Sequence, residues 1–191
     1  GFKAFQVLRK EPESSNITSF YLAPRDGGAL PDFKPGQYTT VRIATPEGQT
    51  TMRNYSLSDR PGQPHFRISV KREQGVSTPQ GYVSNWLHDN LQVGMQVELA
   101  PPCGEFFLDL QAKSNTPLLF LAAGIGITPI LSMLSTALEA MPEREVLLIH
   151  GCLNEEVQAF RASLERLAEK HSNFKVHFRY SDPARPGFER L

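Results

Sequence analysis

LLFLAAGIGITPILSML, residues 118–134, decides how the second half of this chain folds. It opens on a continuous apolar run, LLFLA (118–122), the pattern of a strand buried on both faces. Gly124 and Gly126 then let the backbone turn tightly and approach a ligand. Thr128 is placed to cap a helix, and Pro129 suits its first turn. Ile130, Met133, Leu134, Ala137 and Leu138 follow at helical spacing. The N-terminus of such a helix offers free N–H groups and a positive dipole end to phosphate. A βα turn that binds nothing is the plainer alternative, but strand, Gly-x-Gly-x-Thr-Pro and helix in succession favour a nucleotide. The turn is neither a Gly-x-Gly-x-x-Gly fingerprint nor a P-loop, since no Gly-Lys-Ser/Thr is present.

The same grammar continues downstream. VLLI (146–149) reads as a second buried strand, Val157, Phe160, Leu164 and Leu167 as one helix, and FKVHFRY (174–180) as a third strand. A β-α-β-α-β order implies a parallel sheet with right-handed crossovers. Three strands make half of a doubly wound nucleotide domain. The chain begins at Gly1 and ends in the turn-like Phe188-Glu189-Arg190-Leu191. The expectation is a domain truncated at its C-terminus, in a longer full-length protein.

Upstream the period changes to two. FRISVK (66–71) alternates cleanly, with Phe66, Ile68 and Val70 on one face. FKAFQVLR (2–9), ITSFYLA (17–23), QYTTVRI (37–43) and MQVEL (95–99) are weaker versions, separated by Gly- and Pro-rich turns. Short strands at this spacing suggest an antiparallel barrel or sandwich. One segment departs: Val83, Trp86, Leu87 and Leu91 form a helical stripe, with Ser84 placed to cap its start and Gly94 after its end. The predicted architecture is an antiparallel β-barrel with one inserted helix over 1–112, then an α/β parallel-sheet domain over 113–191. LQAKSNTP (110–117) is the expected junction.

Composition excludes some classes of function. Twenty basic and twenty acidic residues cancel, so no global field attracts nucleic acid or an anionic membrane. No apolar run approaches the ~20 residues of a membrane helix, and the opening residues read as a strand rather than a signal peptide. Cys103 and Cys152 stand far apart without metal-ligand spacing, so both are expected as buried free thiols in a reducing, cytoplasmic setting, with no metal site. His65, His88, His150, His171 and His177 are scattered, and no triad or carboxylate pair stands out. His150, ending a parallel strand, reads as a satisfied polar residue rather than a catalyst.

Three stretches carry the remaining chemistry. QGYVSNWL (80–87) places Gly81 before a helix start, a second anion site by the same dipole physics. In TMRNYSLSD (51–59), Arg53 and Tyr55 share one strand face, and Ser56 points to the other unless the strand bends. Arg can pair with phosphate and Tyr can cover a flat ring; a bare exposed strand face is equally compatible with spacing alone. APPCGEFF (100–107) is a rigid loop whose Phe106 and Phe107 could wall a pocket, with at least one expected in the core.

RNYS, GYVSNWL and AAGIGITPILSML, in this order, resemble the ferredoxin–NADP reductase superfamily, and most of all the reductase region of flavohaemoglobins. The resemblance covers essentially the whole chain. It implies an FAD-binding barrel joined to an NAD(P)H-binding domain. Arg53 would contact the flavin phosphates, Tyr55 would pack on the ring and ribityl region, and Ser56 would lie near the reactive nitrogen; Tyr55 and Ser56 are thus the catalytic candidates. Asn54 would contribute backbone, and Gln37, Tyr38, Val70 and Lys71 would lie beside the flavin. Gly81, Val83 and Ser84 would bind the pyrophosphate, and Gly124, Gly126, Ile127 and Thr128 would hold the pyridine nucleotide. NADH is preferred over NADPH because Asp182 would repel a 2′-phosphate, although Arg179 argues the other way.

The chain departs from that family in three respects: it has no globin module, no late Cys-Gly-Pro strand end and no C-terminal iron–sulfur cysteine cluster. The expectation is a chain that binds flavin but holds NAD(P)H poorly. The implied function is hydride transfer from NAD(P)H to FAD, then single electrons to a haem, iron–sulfur or partner-protein acceptor. A non-catalytic nucleotide- or protein-binding regulatory domain on the same fold is the alternative.

Overall fold

The computed structural model describes residues 1–75, 80–111 and 114–187. The expected domain division between 112 and 113, and the turn-like end at 188–191, lie outside the described residues.

The first half is built from β1 (Lys3–Pro12), β2 (Ile17–Pro24), β3 (Tyr38–Ala44), β4 (Thr50–Ser56), β5 (Phe66–Lys71), helix α1 (Tyr82–Asn90) and β6 (Gln96–Leu99). The strands form one sheet in the order β4-β3-β6-β1-β2-β5, antiparallel throughout. The sheet curls until its ends meet. After Ser56 the chain leaves β3, and Leu57 bridges to Ile68 on β5. The Ser58 N–H donates to the Arg67 carbonyl at 2.8 Å. A closed sheet has no free edges and gathers its inward residues into one core. Phe5, Phe20, Leu22, Val41, Ile68 and Leu99 fill it, and α1 plugs it with Val83, Leu87 and Leu91. The strict alternation of FRISVK follows from this geometry.

The second half contains β7 (Leu118–Ala123), a 3₁₀ turn (Gly124–Gly126), α2 (Ile127–Ala140), β8 (Val146–Cys152), α3 (Arg161–Lys170) and β9 (Phe174–Tyr180). The sheet is parallel in the order β7-β8-β9. Phe120, Leu134, Leu148, Leu164 and Phe174 form its core on the helix-covered side.

Three sequence expectations are corrected here. β7 is not buried on both faces: Leu119 is 59% and Leu121 is 65% exposed, because no layer of the described residues covers that side of the sheet. The helix after β8 does not include Val157 or Phe160. Phe160 sits before it at φ 64°, a left-handed conformation that breaks the helical run. Phe106 is 64% exposed, and Phe107 belongs to neither core; it lies under Lys34 instead, with the ammonium 4.1 Å from the ring centroid.

The two halves meet through close packing. Gly36, at φ 112°, lies so near α2 that a Cβ there would collide with the Met133 methyl and the Phe106 carbonyl. Ser132 on α2 donates its hydroxyl to the Asp59 carbonyl at 2.7 Å. Arg60 pairs with Glu139 at 2.7 Å. Ile17, from β2, is buried in the second core.

Candidate functional site

The junction of the halves opens into a cleft of about 440 Å³. Its barrel wall is the end of β4, with Arg53, Asn54, Tyr55 and Ser56 all lining it. An ideal strand would send Ser56 to the opposite face. The bend that carries Leu57 across to β5 brings both faces of the strand end to the cavity. Lys71 from β5, and Gly81, Val83 and Ser84 at the start of α1, form a second wall. Gly126 and Thr128, at the start of α2, form the third. An adjoining cavity of about 500 Å³ shares Lys71, Glu73 and Ile125 and adds Gly124, Cys152 and Leu153.

Two helices therefore begin at one cavity, and neither start is capped by a side chain: Gly81 precedes α1 and Gly126 precedes α2. This corrects the expected caps. Ser84 lies inside the first turn, donating to the Gly81 carbonyl at 3.2 Å and accepting from the Glu73 N–H at 3.2 Å. Thr128 likewise donates back to the Ile125 carbonyl at 3.1 Å. Helix-start N–H groups have no partner within the helix, so α1 offers the cavity an anion site; at α2 the Ile127 N–H is spent on the Gly124 carbonyl and Pro129 has none, which leaves the turn ahead of α2 as the donor stretch there.

The glycines sharpen this. At Gly81 a Cβ would approach Glu73 Cβ and Ser84 Oγ at 2.9 Å, so the protein itself forbids a side chain. At Gly126 the backbone is ordinary, with φ −61°, and a Cβ would meet nothing within 4 Å. No atom of the described residues demands glycine there; a ligand approaching the turn would.

Tyr55 is half-buried against the barrel core. Burial pushes its phenol up to about 12, with Glu73 adding and Arg53 opposing, so the ring is neutral at any physiological pH. Arg53 is exposed and donates to the Met52 carbonyl at 2.7 Å. A cation, a neutral aromatic face, hydroxyls, an uncapped helix start and a glycine turn suit a flat ring joined to phosphates. FAD, a flat ring system joined to a pyrophosphate, has the chemistry this set can receive.

Five expected site residues stand outside the cleft lining, Gly124 among them because it lines only the adjoining cavity. Val70 and Ile127 are fully buried in the two cores. Gln37 is tied to the Gly104 carbonyl at 3.1 Å. Tyr38 pairs with Ser56 across β3 and β4, and its phenol is raised by the neighbouring Cys103 thiol. Cys103 is exposed, contrary to expectation, while Cys152 is buried. Ser69, Glu73, Tyr82, Ile125 and Pro129 also line the cleft. Ser69 was legible from Lys71, since residues two apart on β5 share a face, and both line the cleft. Among the described residues no His, Cys, Asp and Glu cluster is placed to hold a metal ion.

A barrel with one plugging helix, a parallel α/β sheet and a cleft between them are the architecture of a flavin-binding domain joined to a pyridine-nucleotide-binding domain. The sequence matches the oxidoreductase FAD-binding domain family over residues 4–108 and the oxidoreductase NAD-binding domain family over 120–189, and the chain belongs to these families. It is 46% identical over 185 residues to a flavohemoprotein of Rhodopirellula baltica, covering 96% of this chain but 45% of that protein. The chain thus spans about half the length of the curated relatives it matches. The flavohem-like FAD/NAD-binding domain of nitric oxide dioxygenase from Vibrio cholerae superposes with a TM-score of 0.89 at 32% identity, covering 98% of this chain and 78% of that one. Phthalate dioxygenase reductase, a module for electron transfer from pyridine nucleotides to [2Fe–2S], gives 0.76 at 33% identity over 93% and 52%. No helix of the described residues is long and apolar enough to cross a membrane.

Proposed function

We propose that this chain is the reductase module of a flavohaemoprotein-like electron-transfer enzyme. Bound FAD would accept a hydride from NAD(P)H and release electrons singly to a haem, iron–sulfur or partner-protein acceptor. One observation carries the reading: Arg53, Tyr55 and Ser56 share a single cleft with two uncapped helix starts.

The residues divide the work by chemistry. Arg53 and the start of α1 neutralise phosphate. Tyr55 supplies a flat, protonated surface for the ring, and Ser56 offers a hydroxyl at its edge. Lys71 places a cation along the same wall. The turn at Gly124 and Gly126, with Thr128, receives the nicotinamide nucleotide from the other domain. Neither Tyr55 nor Ser56 needs to exchange a proton for hydride transfer; both position the ring. Asp182 after β9 favours NADH over NADPH. Two cysteines without a disulfide support a cytoplasmic, reducing location. The acceptor is a haem or iron–sulfur domain, fused in the full-length protein or separate.

An absorbance spectrum tests the proposal. Purified protein incubated with FAD should retain a yellow chromophore through gel filtration and bleach on anaerobic addition of NADH. A protein that takes up no FAD overturns the reading. A protein that binds nucleotides but never bleaches is a binding module and not a reductase.

A further inference from the structure

The end of β8 holds a buried chain of hydrogen bonds that terminates on the glycine turn. His150 is fully buried, and Cys152, Gln158 and Tyr180 are nearly so. Arg161 Nη1 donates to the Tyr180 hydroxyl at 2.7 Å. The Tyr180 hydroxyl donates to Gln158 Oε1. Gln158 Nε2 lies 3.3 Å from His150 Nδ1, and His150 Nε2 lies 3.1 Å from the Gly124 carbonyl oxygen.

Proton positions along this chain follow from one fact: a guanidinium can only donate. Tyr180 accepts from Arg161 and directs its own proton to Gln158 Oε1. That orients the amide, so Gln158 Nε2 donates to His150 Nδ1. The ring proton is left on Nε2, which lies 3.1 Å from the Gly124 carbonyl oxygen and 3.3 Å from the Cys152 Sγ. Burial keeps the imidazole neutral, with Gly124 opposing as acceptor. The same carbonyl accepts the Ile127 N–H that closes the 3₁₀ turn. Gly124 itself sits at φ 49°, a conformation that side chains resist.

We propose that His150, locked as its Nε2–H tautomer, is a positioning residue for the nucleotide turn. It pins the Gly124 carbonyl inward and so fixes the direction in which the N–H groups of the following turn face the cleft. The role rests on the reading of this turn as the pyridine-nucleotide site. A buried histidine kept only for packing would be replaceable by leucine at little cost to the turn; a clamp needs a donor at this point.

The test uses the full chain and the variants His150→Leu and His150→Gln, the latter keeping an N–H donor. Imidazole nitrogen shifts of the unmodified protein should report the neutral Nε2–H form. Amide hydrogen exchange at Gly126 and Ile127, measured without nucleotide, should accelerate about tenfold in His150→Leu, and NAD⁺ should bind about tenfold more weakly by calorimetry, as expected for losing one buried hydrogen bond. His150→Gln should restore both. An Nδ1–H tautomer, or a leucine variant with the exchange rates of the unmodified protein, overturns the proposal. If the unmodified protein binds no NAD⁺, the pyridine-nucleotide reading fails instead, and exchange and tautomer alone decide whether His150 clamps the turn.

Discussion

Ser132 on α2 reaches across the domain junction and donates its hydroxyl to the Asp59 carbonyl at 2.7 Å, with Ser132 fully buried. The bond ties the nucleotide-domain helix to the loop that leaves the cleft strand β4. Ser132→Ala removes the donor and strands a carbonyl, at a cost of about 1–2 kcal/mol. Urea denaturation should show the loss, and FAD should dissociate faster because both domains wall the cleft. The neighbouring Arg60–Glu139 pair is substantially exposed, and Arg60→Ala should change stability by less than ~0.5 kcal/mol.

Arg53→Ala should separate binding from folding. The side chain is exposed and, among the described residues, bonds only to the Met52 carbonyl, so thermal melting without FAD should move little. FAD affinity should fall about tenfold or more, as for loss of one charge-assisted phosphate contact. Fluorescence of released flavin measures it. Unchanged retention would remove Arg53 from the phosphate site.

Gly36 and Gly126 should respond oppositely to alanine. Gly36→Ala forces a Cβ into Met133 and Phe106 at a left-handed backbone position, and should cost more than ~2 kcal/mol in urea denaturation. Gly126→Ala points into open space from a helical backbone. It should leave stability unchanged or raise it by about 0.4–1 kcal/mol, yet weaken NAD⁺ binding in calorimetry. Equal losses at both sites would mean that Gly126 serves the fold rather than a ligand.

Much of this was legible in the chain itself. β5 was bounded correctly because FRISVK alternates strictly and faces a single core. The βα units were legible because their apolar periods differ from those of the barrel. What failed depended on neighbours. Ser84 and Thr128 looked like caps because local chemistry allows it, but each starts inside its helix and bonds backwards. Phe160 carried a helical spacing that its backbone does not follow. Glu73 and Tyr82 reach the cleft only because the barrel folds their segments beside β4, and no periodicity encodes that.

Alkaline pH should expose Tyr55. Its pKa is raised in the folded state to about 12 by burial, so the folded form holds a proton that the unfolded form releases from about pH 10. Its stabilisation is therefore complete below about pH 10 and is lost as pH rises towards 12. Tyr55→Phe should flatten the dependence of urea stability on pH across that window. At lower pH the thiols divide: Cys103 is exposed and Cys152 buried, with its thiol pushed up to about 11 by burial. A disulfide reagent at pH 8 should titrate one thiol quickly, and Cys103→Ser should abolish that phase.

The uncovered side of β7 has a consequence unrelated to electrons. Leu119 and Leu121 stand in water beside the outer edge of the parallel sheet, and covering each leucine would gain about 1.5–3 kcal/mol. That is a standing incentive for two molecules to meet, back to back or edge to edge. Leu121→Lys should leave the cleft untouched and lower the scattering of concentrated solutions. A drop in scattering would assign self-association to a surface on which none of the proposed chemistry takes place.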